Sequence, residues 1–496
     1  MDFTDLFAQT AGIVHFSPGR YFILSAVKDR LVVRRSDREG IVQTWLVDNA
    51  PSATHAALAK AAVKPAPSEG WITHAEWSPD SEYILAAVAK RGIVHVFSMR
   101  DEKWTARIEA GVEGLTKAEW APDSRNILCF SEWGLRVTIW SLSTGTATYI
   151  QFPKHPDRGY AFRKDGRYFV LAERYKSKDM MGVYDCPSGY KLIRHFALPT
   201  TSLASISLSP TGNHVAAWEA ASEFKVVIMN LTGQHIATFI PTDDPLLGVR
   251  HILWHPSGTY LLVGGWDSKQ PGMEGGRYNT ARLPTTFING MLHHPLVQWK
   301  EPHNWLANTR NRGFLPFTKT TATNTAPLFV GISKPSTMAP TASVANASVM
   351  PKSGVTHMQF SASGALLLVT WEQCPTLAFI YNFPSPEEPC IPRLRSVIQC
   401  AQNILHAQVS HSPTISGTTI ALCTGTAAIY LWNDDRVLDE SGQKGELAEC
   451  VSVPSEKRFA CKEIRWSPDG KGLILMDKDM FCAAFEVVEG EDVSSA

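Results

Sequence analysis

The 496-residue sequence predicts an all-β chain folded as a β-propeller, a closed ring of small antiparallel sheets, and three observations carry that expectation. One block recurs from end to end: apolar-x-apolar, then Ser-Pro, then Asp, Ser or Gly, then an aromatic-aliphatic run. Its best-formed copies are evenly spaced, with Trp77 and Trp120 43 residues apart, Trp120 and Phe162 42, and Phe162 and Leu208 46. Units of about 40–50 residues are what four short strands and their turns require. No segment of useful length carries a helical period.

Each part of the block has a mechanical reading. Copies begin at Val14, Ala75, Ala118, Tyr160, Ile206, Ile252, Met358 and Ile464. A ninth, degenerate unit is expected between Asn403 and Asn433, where T-I-A-L-C and A-I-Y-L-W read as paired strands. The alternation before Ser-Pro suits a strand, because successive strand side chains point to opposite faces. Pro presets a turn and Asp or Gly completes it, so the following run becomes the second strand of a hairpin. Third strands read as I-V-H-V-F at Ile93, V-T-I-W at Val137, V-V-I-M at Val226 and A-F-I-Y at Ala378. The result is a WD40-type β-propeller with nine candidate four-stranded blades; seven or eight blades with decorated loops are the alternative. The last copy supplies three strands, E-I-R-W, L-I-L-M and C-A-A-F. The N-terminal F-T-D-L-F is expected to add the fourth and close the ring, which removes an exposed sheet edge. The propeller is assigned to residues 1–487 and an acidic tail to 488–496.

The pattern breaks twice. Residues 49–70 are rich in Ala, Pro and Ser, and a short surface helix at Ala53–Ala62 or a plain loop both fit. After G-G-W-D-S-K at Gly264–Lys269 the chain reads Q-P-G-M-E-G-G in place of a third strand, and Trp254 and Phe360 stand 106 residues apart. An insertion is therefore assigned to 270–353. From Gly265 to Val355 nine Lys/Arg face three acids, which makes this stretch basic. Its Thr/Ala/Ser/Pro-rich end, Thr320–Ser353, is expected to be disordered.

Composition excludes several classes. Lys plus Arg and Asp plus Glu both number 47, so no global basic field draws the chain to nucleic acid or an anionic membrane. No apolar run reaches the roughly 18 residues that cross a bilayer, and M-D-F-T-D-L-F places acids where a signal peptide needs a basic start. The nine cysteines are scattered and never spaced C-x-x-C, so they read as reduced, mostly buried thiols rather than metal ligands or a disulfide framework. A nucleophile elbow, a phosphate-binding loop, H-E-x-x-H and a dinucleotide turn are all missing, and no catalytic, metal or cofactor site is assigned. His293 and His294 are adjacent and would face opposite ways on a strand, which suits a plain loop. Trp266–Asp267 reads as a turn-stabilising pair of the repeat. Trp77, Trp120, Trp254 and Trp466 occupy equivalent repeat positions, so core packing explains all four together.

The aromatics outside the repeat are the candidate partner-binding residues: Trp104, and in the insertion Trp299, Lys300, Trp305, Arg310 and Arg312. Surface aromatics beside cations are the usual energetic anchors of interfaces. Partial burial against a neighbouring blade is the expectation for Trp104; for Trp299 and Trp305, docking and burial stand open.

Several stretches go beyond the generic repeat. They are R-L-V-V-R at Arg30–Arg34, K-R-G-I-V-H-V-F-S at Lys90–Ser98, L-R-V-T-I-W-S-L at Leu135–Leu142, and D-G-R-Y-F-V-L-A-E-R at Asp165–Arg174. W-K-E-P-H-N-W-L at Trp299–Leu306 and M-D-K-D-M-F-C at Met476–Cys482 follow in the same order. In these the chain resembles the WD repeat-containing protein 8 family, WD40 propeller proteins of centrosomes and spindle pole bodies. Gln270–Asn289 departs from the family pattern, where a regular third strand would stand. The resemblance implies a cytoplasmic, cytoskeletal scaffold at the microtubule-organising centre. Its implied partners are a coiled-coil spindle-pole anchoring protein and a minus-end-directed kinesin, which together tether spindle microtubule minus ends. No nucleic acid, membrane or cofactor is implied. The alternative is a propeller-type translation initiation factor on the small ribosomal subunit, which would favour a basic face and salt-sensitive binding. A propeller hydrolase or lactonase lacks a nucleophile motif here.

Overall fold

The computed structural model describes residues 1–37, 40–48, 50, 67–220, 223–240, 248–265, 354–372, 374–384, 392–410, 417–437, 444–454 and 458–485. Three short strands, Asn279–Ala281, Trp299–Lys300 and Val330–Gly331, are described by their backbone alone. The strands form nine sheets, each a blade. Blade 1 runs Val14–Phe16, Phe22–Val27, Arg30–Arg35 and Ile41–Leu46. Blade 2 begins at His74–Trp77, blade 3 at Lys117–Trp120, blade 4 at Tyr160–Phe162 and blade 5 at Leu203–Leu208. Blades 6 to 9 begin at Val249–Trp254, Val355–Phe360, His406–Val409 and Glu463–Trp466. Blade 8 is the degenerate unit, with Thr419–Cys423 antiparallel to Ala428–Val437. The only helical elements among the described residues are 3-10 turns such as Ala89–Arg91 and Glu132–Gly134.

The Ser-Pro turn works through its first and fourth residues. Ser17, Ser78, Ser209, Ser361 and Ser467 each accept, on Oγ, the backbone N–H of the residue five positions on, at 2.8–3.1 Å. Asp80 and Asp469 accept in turn from those serines' hydroxyls. The fourth residue is always left-handed, whether Arg20 (φ 66°), Ser81 (φ 62°), Gly212 (φ 71°) or Gly470 (φ 70°), which is why Gly recurs there.

Apolar burial lies between blades. Nine buried clusters each join two neighbours, from Leu24 and Trp45 with Ile84 and Phe97 across blades 1 and 2 to Ala421 and Cys423 with Leu473 and Cys482 across blades 8 and 9. The last cluster sets Val14 and Ile23 of blade 1 against Ile474 and Phe481 of blade 9, so the ring is closed. Two N-terminal strands, Asp2–Phe3 and Phe7–Ala8, lie antiparallel on Met480–Phe485, pairing Asp2 with Phe485 and Phe7 with Phe481. Thr4 exchanges two hydrogen bonds with Ala483 at 2.9 and 3.0 Å. Eight described cysteines are free thiols and seven are buried.

Blade 6 differs from the rest. Val249–Trp254 and Tyr260–Gly265 form a hairpin, but the third strand, Asn279–Ala281, runs parallel to the second. The Gly- and Pro-containing stretch after Gly265 lacks the alternation of an antiparallel third strand. Among the described residues no helix is long and apolar enough to cross a membrane.

Candidate interaction face

Successive strands of a blade run up and down, so one face of the ring carries the turns between second and third strands and the connections between blades. On blades 2 to 4 this face exposes apolar side chains. Trp133 is 89% exposed, and Val112, Leu135, Phe152 and Tyr175 are exposed with it. Backbone hydrogen bonds tie their positions together. Glu132 N–H donates to Glu113 O at 3.1 Å, beside Val112; Phe152 N–H donates to Leu135 O and Arg174 N–H to Phe152 O, both at 3.0 Å. The five residues thus form one stripe across the seam between blades 3 and 4.

Trp133 holds its place at a conformational cost. It is left-handed (φ 60°, ψ 13°), and Gly134 after it is also left-handed (φ 62°). A Cβ at Gly134 would meet Pro153 O at 2.9 Å. Two consecutive left-handed residues in a hairpin turn call for Asn-Gly or Gly-Gly, and an ordinary L-residue there costs about 1–2 kcal/mol. An exposed indole returns no burial for it. Folding gains nothing from tryptophan at position 133, which makes the outlier a pointer to function.

Buried carboxylates hold the Tyr175 end rigid. The Asp179 side chain is fully buried and accepts from Lys154 Nζ and Arg174 Nη1 at 2.9 Å, from Leu203 N–H at 2.8 Å and from Thr200 Oγ1 at 3.2 Å. Burial pushes its pKa up, but the Lys154 and Leu203 hydrogen bonds outweigh this and hold it below the usual carboxylate value. Glu173, also buried, accepts from Tyr184 Oη at 2.5 Å and contacts His195 Nε2 at 3.0 Å. Burial raises its pKa, with those two partners opposing. At the other end Arg136 pairs with Glu113 and lies 4.6 Å from the Tyr149 ring centroid.

Of the residues singled out from sequence, Trp104 is half-buried in the seam between blades 2 and 3, edge-on to Tyr83 with ring centroids 5.2 Å apart. Trp299 and Lys300 form a two-residue strand whose backbone pairs in parallel with Ile398 and Gln399, on the outer edge of blade 7. Trp305, Arg310 and Arg312 lie outside the described residues, as do Ala53–Ala62, Trp266–Asp267, His293–His294 and the tail at 488–496. Of Thr320–Ser353 only Val330–Gly331 is described, as a two-residue strand antiparallel to Trp299–Lys300, which departs there from the disorder expected for the segment. The structure does not bring the described members of that set together. Trp77 and Trp120 are buried and Trp254 and Trp466 partly so; the indoles of Trp77, Trp254 and Trp466 donate to carbonyls of the preceding blade at 3.4, 3.2 and 3.1 Å. Sequence reasoning missed Trp133. The signal was E-W-G in a turn where the repeat needs no aromatic.

The ring's inner strands offer a second polar site. Consecutive blades 6, 7 and 8 contribute His251, His357 and His406. Burial, then His406 and His251, draw His357 down to about 4. His357 and His406 line a cavity of about 330 Å³ with Trp371, Glu372 and Leu405. Among the described residues no group of three His, Cys, Asp or Glu is arranged to hold a metal ion.

Nine small, mainly antiparallel sheets among the described residues, Ser-Pro turns and a ring closed by its own N-terminus define a WD40-type β-propeller, a fold that typically serves as a non-catalytic platform for other proteins. Residues 233–269 match the family model "WD domain, G-beta repeat". The chain is 29% identical to the mouse (Mus musculus) WD repeat-containing protein WRAP73, over 98% of this chain and 96% of that protein. Among solved structures it matches the β-propeller domain of Myceliophteria thermophila Cps50 (Swd1) at 12% identity and a TM-score of 0.40, covering 98% of this chain and 99% of that one.

Proposed function

We propose that this chain is a non-catalytic protein-interaction scaffold at the microtubule-organising centre, the spindle pole body or centrosome. There it helps to anchor spindle microtubule minus ends with a coiled-coil anchoring protein and a minus-end-directed kinesin. Trp133 carries the scaffold reading: a rigid closed ring spends conformational energy to display an indole in water. The pole assignment is supported by the ordered stretches at Arg30–Arg34, Lys90–Ser98, Leu135–Leu142, Asp165–Arg174, Trp299–Leu306 and Met476–Cys482. Two of these, Leu135–Leu142 and Asp165–Arg174, border the exposed stripe. The test is to tag the full chain, image it in mitotic cells and identify what co-purifies. Pole localisation with a coiled-coil protein and a kinesin is the expected result. Small ribosomal subunits and initiation factors would replace the reading with a translation factor, and a diffuse signal with neither would remove the pole assignment.

A further inference from the structure

We infer that the Trp133 stripe is the docking site for an acidic amphipathic helix of a partner protein; this rests on the scaffold reading above and names the partner's chemistry. The stripe is apolar along its middle, where Val112, Trp133, Leu135, Phe152 and Tyr175 stand exposed, and cationic at both ends. On the blade 2 side, Lys90 is exposed in the turn that receives Ala110 N–H through Gly92 O at 2.7 Å, next to Val112. On the blade 4 side, Lys176 and Lys178 are exposed in the hairpin that carries Tyr175, with Lys176 Nζ 5.2 Å from the Tyr175 ring centroid. Of the nearby carboxylates, Glu113 pairs with Arg136, Glu109 with Arg107, and Asp179 with Lys154 and Arg174 together, while Asp157 is exposed beside the exposed Arg158. Glu132 stands exposed beside Trp133. An apolar seam between lysines matches a segment with one apolar face and acidic flanks.

The shape selects a helix. The stripe's residues come from turns and inter-blade connections rather than along one strand, so no open backbone edge runs beneath them for an added strand. Neighbouring blades pack about 10 Å apart. A ligand reaching from Lys90 on blade 2 to Lys176 on blade 4 crosses three of them and with its margins needs roughly 25 Å, which is about five turns of helix with anchors at i, i+3, i+4 and i+7 repeated along one face. The chain's own insertion has the wrong sign, with nine Lys/Arg against three acids between Gly265 and Val355. Its acidic tail at 488–496 follows Phe485 in blade 9 and has no apolar helical period.

The experiment uses the full-length chain and a fluorescent model peptide of roughly five helical turns, with Leu and Phe on one face and Glu on both flanks. Controls are the same peptide with Lys for Glu, and one of identical composition in scrambled order. Anisotropy titrations should show the Glu peptide binding at least about ten-fold tighter than either control. Trp133→Asn, which tolerates the left-handed turn and should melt no lower than wild type, should weaken that binding by about ten-fold or more. Lys176→Glu with Lys178→Glu should weaken the Glu peptide and strengthen the Lys one. A Glu peptide no tighter than its controls, or indifferent to Trp133→Asn, overturns the inference. So does concentration-dependent dimerisation of the chain that Trp133→Asn abolishes, because the stripe would then belong to a second copy. Pole recruitment of the tagged chain is read separately in the same two variants. Pole recruitment of the wild-type chain together with a Glu peptide that binds no tighter than its controls sinks the docking site and leaves the scaffold reading. Glu-peptide binding that Trp133→Asn weakens, without pole recruitment of the wild-type chain, does the reverse.

Discussion

Trp120 and Trp133 belong to the same blade, thirteen positions apart, and teach opposite lessons. Trp120 ends the first strand, is 7% exposed, and packs with Leu85, Val94, Val96, Ile108 and Ile127 in the seam to blade 2. Its backbone N–H is received by Glu76 Oε1 of that blade at 2.7 Å. Trp133 sits in the next turn, almost wholly in water, on a backbone that tryptophan does not favour. The first holds the ring together; the second contributes nothing to holding it and has to be explained from outside.

Substitutions can break or sharpen that contrast. Trp120→Ala should have the largest effect, about 3–5 kcal/mol of stability lost in urea melts, through a cavity in a seam that cannot collapse without moving a blade. Asp179→Asn should come next, at about 3 kcal/mol, because Lys154 and Arg174 lose their shared buried carboxylate. Its effect should start to decline as pH falls below the ordinary carboxylate value of 3.8. The folded pKa is depressed, so the stabilisation exists above that value and is lost as pH falls through the folded one. Trp133→Asn should invert the pattern: stability unchanged or raised by about 1 kcal/mol, partner affinity lowered by about 2 kcal/mol.

How much of this was legible in sequence follows from the same pair. Trp120 could be read because eight other copies of its strand stand beside it, and each repeated position shares one physical cause. The Ser-Pro turn was legible likewise, since Ser17 and Ser467 hydroxyls do the same task 450 residues apart. The exposed face is not repeated. Glu132–Gly134, the Tyr175 hairpin and the connection at Phe152 differ from their counterparts, and only the fold shows them to be neighbours. Partial burial was the expectation for Trp104 among the candidate anchors, and its edge-on contact with Tyr83, two strands away in the same blade, sets it in the seam. The parallel third strand of blade 6 was illegible for the opposite reason, since Q-P-G-M-E-G-G carries no alternation to read.

The inner strands supply a milder test. Burial, then Arg465 and His74, hold His15 down at about 3, and His357 sits at about 4 against an ordinary 6.5. Both folded values are lowered, so the unfolded chain binds the extra protons between those values and 6.5. Stability should therefore decline as pH falls from about 6.5 towards 4, and His357→Asn should flatten part of that slope in thermal melts at stepped pH. The smallest effect belongs to the lysines. Lys176→Ala with Lys178→Ala should leave melting unchanged and cost binding about 1 kcal/mol or less at low salt, vanishing as salt screens it.

The most direct test of the central claim, that the ring is complete without its exposed tryptophan and displays it for a partner, is a paired purification. Wild-type and Trp133→Asn full-length chains, expressed at equal level in mitotic cells, would be compared by quantitative mass spectrometry of what each retains. The account predicts a coiled-coil pole protein and a kinesin with the wild-type chain, and recovery reduced by about ten-fold with the variant. Equal recovery by a fully folded Trp133→Asn chain would contradict it.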